Sequence, residues 1–367
     1  MKKNRINLIA TLATAVFSLS SCIYDDEVST YAPNGELSQE EVKISAAMQG
    51  VETTTRAAYN LQGDNLADWS KAGIFVYKTG QTAAVAASAG VTGYAGYANI
   101  AVSSPSTGAA TPTSAAPLTL TPASNLYFPI DKTAVDVYVY APRDASYTDV
   151  TSMAFTVNAD QSTDANYIAS DFIYGKATAV YSGATSPAVD KRADVTMYHA
   201  LTKLTFKITE DGSNAAGITQ IKLKDVYKKA TINMSTAINA SAPWLTAGTQ
   251  VTTSSTSTDK GDVIVSNSTD NTTLYTDVLN STSATGNGVS AIIPAQSGMS
   301  DTAGPKVEVT IDGQSKEAYL GSSTFTAFEP GKEYVYTLNI KATGVVVVVV
   351  SVVDWIAGAS QSRDLTF

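Results

Sequence analysis

The chain has 367 residues, with 24 Lys and Arg against 33 Asp and Glu, a formal charge of −9 at neutral pH. A mildly acidic chain without a Lys/Arg cluster is a poor binder of nucleic acid, and this length suggests about two domains. One cysteine allows no internal disulfide, and one histidine leaves few parts for zinc or triad chemistry.

In chain order, Lys2, Lys3 and Arg5 come first, followed by an uncharged apolar stretch from Leu8 to Leu19 and then Leu19-Ser20-Ser21-Cys22. A basic start, a short apolar core and a small-residue site predict a secretory signal over residues 1–21. The stretch falls short of the roughly 20 residues that cross a bilayer. The tetrapeptide resembles the lipobox of bacterial lipoproteins, in which the cysteine, here Cys22, is acylated and becomes the new N-terminus. An ordinary signal peptide with an incidental cysteine is the alternative. Asp25-Asp26-Glu27 resembles the acidic export signal of Bacteroidetes surface lipoproteins. Residues 1–56 hold five basic and seven acidic residues, so without them 19 stand against 26, a net −7.

Val42, Ile44, Ala46 and Met48 alternate with Lys43, Ser45, Ala47 and Gln49, which predicts a half-buried strand. "ETTTRAA" follows, a small polar run around Arg56 and Ala57 of the kind a protease can draw into its cleft. On local residues alone a plain loop with an arginine is the alternative. Thr79–Ser124, Tyr181–Val189 and Ala247–Gly288 are Ala/Ser/Thr/Gly- or Thr/Ser/Asn-rich and predict loops. "AVDVYVYAP", "TKLTFKIT", "KVEVTID" and "EYVYTLNIK" alternate with period two, each predicting a strand with one face buried. Many such strands broken by Gly, Asn, Asp and Pro predict an all-β chain of β-sandwiches, divided near Tyr181–Asp194. Near the end, "GVVVVVVSVVDW" puts eight valines in nine positions: Val345, Val346, Val347, Val348, Val349, Val350, Val352 and Val353.

Catalytic parts are scarce. His199, between Tyr198 and a strand start, reads as a packed histidine rather than a general base. No serine sits in G-x-S-x-G, and no P-loop, G-x-G-x-x-G or EF-hand spacing occurs. Glycosidase carboxylates can lie far apart in sequence, but none here has a recognisable setting. The expectation is a non-enzyme without cofactor or metal. Trp69, Trp244 and Trp355 could form a sugar-binding platform; packing in cores is the preferred reading. Sequons at Asn233, Asn239, Asn267, Asn271 and Asn280 read as chance matches. Asp301-Thr302-Ala303 resembles a Bacteroidetes O-glycosylation motif.

Several patches, in order, resemble the fimbrillins, the pilins of Bacteroidales type V pili. They are "LSSC", the strand with "TTTRAA", "WSKAGIFVYK", "DFIYGKATAV", "VTMYHALTKLTFKIT", "FEPGKEYVYTLNI" and "VVDWIAG". The resemblance implies two transthyretin-like Greek-key β-sandwiches in tandem, with a removable N-terminal strand and a C-terminal donor strand. The divisions would be a signal peptide 1–21, a propeptide 22–56, and domains 57–193 and 194–367. It further implies export as an outer-membrane lipoprotein through Cys22. A trypsin-like surface protease would then cut between Arg56 and Ala57, and the chain would join other pilin subunits in an adhesive fimbrium. A donor strand covered on both faces need not alternate, which suits the valine run. A core strand of its own domain is the rival reading of that run. A lipoprotein that stays anchored and binds glycan or a protein partner is the rival function.

Overall fold

The computed structural model describes residues 37–48, 72–83, 94–102, 118–181, 192–210, 217–235, 251–253, 257–267, 288–341, 344–355 and 363–366. Among them the chain is all-β apart from one short helix, Asp164–Ile168, and a 3₁₀ turn at Ser257–Asp259. Thr163 caps the helix, its side chain accepting from the Asn166 N–H.

Seven strands form the first sheet, in the order Tyr97–Ala101, Gly73–Lys78, Val135–Ala141, Ile173–Ala179, Arg192–His199, Lys43–Met48, Leu118–Leu120. Its neighbours are antiparallel except that Lys43–Met48 runs parallel to Arg192–His199. The two outer strands come round to meet. Val102 bridges Pro122, and the Ala123 N–H donates to the Ala101 carbonyl at 2.7 Å. The curled sheet encloses a core of Val42, Ile44, Ile74, Val76, Val137, Val139, Val195 and Met197 among others.

Alternation in "AVDVYVYAP" predicts one buried face, yet all seven residues of Val135–Ala141 are buried. The reason is a second cover. Phe75, Tyr138, Tyr140 and Phe172, on the other face, pack with Phe155 and Ile232. Those two belong to a three-stranded sheet of Met153–Thr156, Lys229–Ile232 and Val251–Thr253. Burial pushes the Tyr140 phenol well above its ordinary pKa.

In the second unit a five-stranded sheet faces a four-stranded one. The first is ordered Val289–Ile293, Thr202–Glu210, Lys332–Lys341, Gly344–Asp354, Arg363–Thr366. The other is ordered Lys260–Asn267, Ile218–Tyr227, Lys306–Ile311, Gln314–Tyr319. Leu204, Phe206 and Ile208, Val307, Val309 and Ile311, and Tyr334, Tyr336, Leu338 and Ile340 meet in one core. The alternation of three of the sequence strands thus marks their inward faces.

Two stretches expected to be loops contain strands. Tyr97–Ala101 and Leu118–Leu120 lie within Thr79–Ser124, and Lys260–Asn267 within Ala247–Gly288. The first two are short, and all three hold few large apolar residues, so pairing with neighbours rather than composition makes them strands. The expected division between 193 and 194 falls inside Arg192–His199, which pairs wholly within the first sheet, and the chain enters the second sheet at Thr202. The second half also lends Lys229–Ile232 and Val251–Thr253 to the cover of the first.

The outer face of the four-stranded sheet carries a charge ladder. Lys224 and Lys306 each donate to Glu317 at 2.8 Å, and Lys222 and Lys224 pair with Glu308. The Lys224 and Lys306 ammonium groups hold the Glu317 carboxyl down to about 2. Its stabilisation is therefore present above the ordinary carboxylate range and lost as pH falls towards about 2. Glu317→Gln should flatten the fall of the urea midpoint between those limits relative to the parent chain. Solvent screening keeps the effect small.

Candidate functional site

The strand Lys43–Met48 is held in a slot. On one side Lys43 to Met48 pair in register with Arg192 to Met197, and on the other Ile44, Ser45 and Ala46 face Leu120, Thr119 and Leu118. Its partners lie far along the chain, Ser45 donating to the Asp194 carboxylate across 149 positions. Val42 is 2 % exposed, Ile44 1 %, Ser45 0 % and Ala46 0 %, so both faces are covered. The Val42 N–H donates to the Leu126 carbonyl at 2.7 Å. Leu37–Glu41, just before it, pairs with Tyr127–Pro129. Burying Val42 and Ile44 stabilises by about 1.5–3 kcal/mol each, before the ladder bonds on both sides are counted.

The valine strand, Gly344–Asp354, lies within the five-stranded sheet between Lys332–Lys341 and Arg363–Thr366, antiparallel to both. Val345 and Val350 are buried in the second core, with Val347 and Val352 packed against it. Val346 faces out and is 45 % exposed. Val349 pairs with Thr337 and Thr366, Val353 with Glu333, and Val348 is passed over where the register shifts.

Directly after this strand Trp355 turns into the joint between the two units. Its indole stacks on the His199 ring, centroids 3.8 Å apart and planes 5° from parallel. His199 Nδ1 donates to Asp171 at 2.9 Å, since a carboxylate can only accept. Asp171 is fully buried, His199 8 % exposed and Trp355 5 %. The Trp355 backbone N–H donates to the Gly331 carbonyl at 2.8 Å, and the Gly331 backbone N–H to the Leu201 carbonyl at 2.7 Å. Gly331 has φ 68°, a conformation that a side chain would strain. His199 is thus packed under an indole, and Trp355 is not an exposed sugar platform.

Cys22, Arg56, Ala57, Trp69 and Trp244 lie outside the described residues. Among the described residues no three His, Cys, Asp or Glu side chains gather as a metal site, and no helix is long and apolar enough to cross a membrane. Sequence reasoning missed Asp171, the partner of His199. It also missed Gln161, whose side chain bonds both the N–H and the carbonyl of Ile292 at 2.8 Å. Neither carries a local signal, because each is defined only by a partner distant in sequence.

Among the described residues the fold is an all-β one in which Lys43–Met48 is held between two strands from far along the chain. The chain belongs to the fimbrillin-like family, whose model matches residues 55–355. It is similar in fold to a candidate cell adhesion protein of Bacteroides uniformis, at TM-score 0.53 and 18 % identity over 86 % of this chain and 97 % of that one. A candidate cell adhesion protein of Bacteroides ovatus matches at TM-score 0.54 and 15 % identity, over 86 % and 98 % of the two chains. A fimbrial assembly protein of Parabacteroides distasonis matches at TM-score 0.47 and 10 % identity, over 89 % and 98 %. No curated protein matches the chain.

Proposed function

We propose that this chain is a shaft-type pilin subunit of a cell-surface fimbrium that supports adhesion. It is exported as a lipoprotein acylated at Cys22, cut between Arg56 and Ala57, and polymerised by strand donation between copies. One observation carries the reading. Lys43–Met48 sits inside the sheet order, between Arg192–His199 and Leu118–Leu120, and lies upstream of Arg56, so a cut there would free it from the rest of the chain.

Loss of that strand would leave apolar surface and ladder groups open along the slot, a template for a strand from another copy. The valine strand suits it: β-branched residues lose little rotamer freedom when fixed in a strand, and eleven residues at about 3.3 Å each more than span a six-residue slot. It would first have to part from Lys332–Lys341 and Arg363–Thr366. A contact in which one copy gives a strand and another takes it does not close, so it grows into a filament.

Incubating the purified precursor with a trypsin-like protease should give a chain beginning at Ala57 and SDS-stable, heat-sensitive ladders. A chain ending at residue 343 should be cut but form no ladder. Resistance at Arg56, or a cut chain that stays monomeric, would overturn the proposal.

A further inference from the structure

Lys332–Lys341 and the valine strand pair from Lys341↔Gly344 to Lys332↔Asp354. Between those limits one strand takes nine steps, 332 to 341, and the other ten, 344 to 354, so one residue is surplus. It is absorbed as a bulge between Leu338↔Val347 and Thr337↔Val349. A run of like residues gives a bulge no address. If it vanished, the pairing that runs through Leu338↔Val347 would continue smoothly, setting Val350 opposite Val335 and Ser351 opposite Tyr334. Side chains in the outer half would then exchange faces.

Two features oppose that smooth register. With the bulge, Val350 enters the core at 0 % exposure and Ser351 stays half-buried opposite Val335; without it, the Ser351 hydroxyl would turn into an apolar core. The stronger constraint is Trp355, the first residue beyond the ladder. A one-residue shift moves it about 3.3 Å along the strand and turns its side chain to the other face, away from the His199 ring.

We propose that the His199–Asp171 socket sets the register of the valine strand. By holding the Trp355 indole, it forces the surplus residue to be stored as a bulge. The smooth register is the strand's second state, populated when the indole leaves the socket. His199 and Asp171 lie in the first unit and the strand in the second, so the joint between the units governs which valines face the core. This holds whether or not the strand is ever donated to another copy.

Disulfide trapping in the full chain reads the two registers, with Cys22→Ser so that engineered thiols are the only ones. Val335→Cys with Ser351→Cys reports the bulged register, and Val335→Cys with Val350→Cys the smooth one. In the bulged state the second pair points to opposite faces and cannot close. The parent should close the first pair almost fully and the second only at background. Trp355→Ala should raise the second at least tenfold at the expense of the first, and Trp355→Phe, which keeps a ring in the socket, should restore the parent pattern. A Trp355→Ala chain that still closes only the first pair would overturn the proposal. So would a chain ending at residue 362 that switches register while its Trp355 is intact, because Arg363–Thr366 would then be the determinant. If Trp355→Ala does not fold, His199→Ala, which leaves the strand's sequence untouched, must produce the same switch; an unchanged pattern there overturns the proposal equally.

Discussion

A chain beginning at residue 49 should lose hydrogen-exchange protection along Ala193–Met197 and unfold its first sheet at far lower denaturant than the full chain. The physical reason is the number of groups the strand serves at once. Val42 and Ile44 are almost wholly buried, at about 1.5–3 kcal/mol each, and Ala46 adds a smaller share. Ladder bonds to Arg192–Met197 and to Leu118–Leu120 add about 0.5–1.5 kcal/mol apiece. The sum exceeds about 5 kcal/mol, the lower end of a whole domain's stability. The stripped unit should therefore be marginal alone and rescued by a strand supplied in trans. A peptide of residues 37–48 should return protection to Ala193–Met197, whereas the same peptide carrying Ile44→Asp should not. Unchanged protection after stripping would mean that the sheet closes over the gap, and the slot would carry no assembly energy.

Much of this architecture was legible because alternation is a local property. Leu204, Phe206 and Ile208 declare their face at three alternate positions, and the structure buries each of them at 0 % exposure. Val42, Ile44 and Ala46 did so for the slot strand, but the expectation of a half-buried strand fails there, because Ser45 and Ala47 on the other face are buried as well. What sequence could not express is pairing. Nothing in Lys43–Met48 names Arg192–Met197 as its parallel neighbour, nor the three-residue Leu118–Leu120 as the other. Leu118 and Leu120 sit in an Ala/Ser/Thr-rich stretch whose composition reads as loop. They become a strand because an adjacent ladder satisfies their backbone and the curled core takes their side chains. The valine run failed in the opposite way. Its identity as a strand is plain, but identical residues erase the alternation that would give its inward face, and the bulge before Thr337↔Val349 has no sequence mark. Trp355 and His199 are single residues whose stacking depends on how the two units meet.

Gln161 helps to hold that meeting, and its replacement should be among the more damaging single changes in the chain. Gln161 is 3 % exposed. Its Nε2 donates to the Ile292 carbonyl and its Oε1 accepts from the Ile292 N–H, both at 2.8 Å, so one side chain acts as a ladder partner for the edge strand Val289–Ile293. Its own N–H donates to the Ile264 carbonyl, and the Ile264 N–H to the Ala159 carbonyl, again at 2.8 Å. A loop of the first half thereby fastens the edges of both sheets of the second. Gln161→Leu leaves the Ile292 N–H and carbonyl buried without partners, at about 1–3 kcal/mol each, so a loss of roughly 2–6 kcal/mol is expected in denaturant melts. Gln161→Glu separates hydrogen bonding from shape. At neutral pH its carboxylate can accept from the Ile292 N–H but faces the Ile292 carbonyl without a proton to offer. Once protonated it reproduces both bonds. Burial against a carbonyl raises its folded-state pKa above the unfolded value of about 4.3. Its contribution is then fully present below about 4.3 and lost as pH rises through the folded value. Measured against the parent chain at each pH, Gln161→Glu should be nearly neutral at about pH 4 and strongly destabilised at pH 7. A deficit that does not change with pH would show that the joint depends on packing around Gln161 and not on its paired bonds to Ile292.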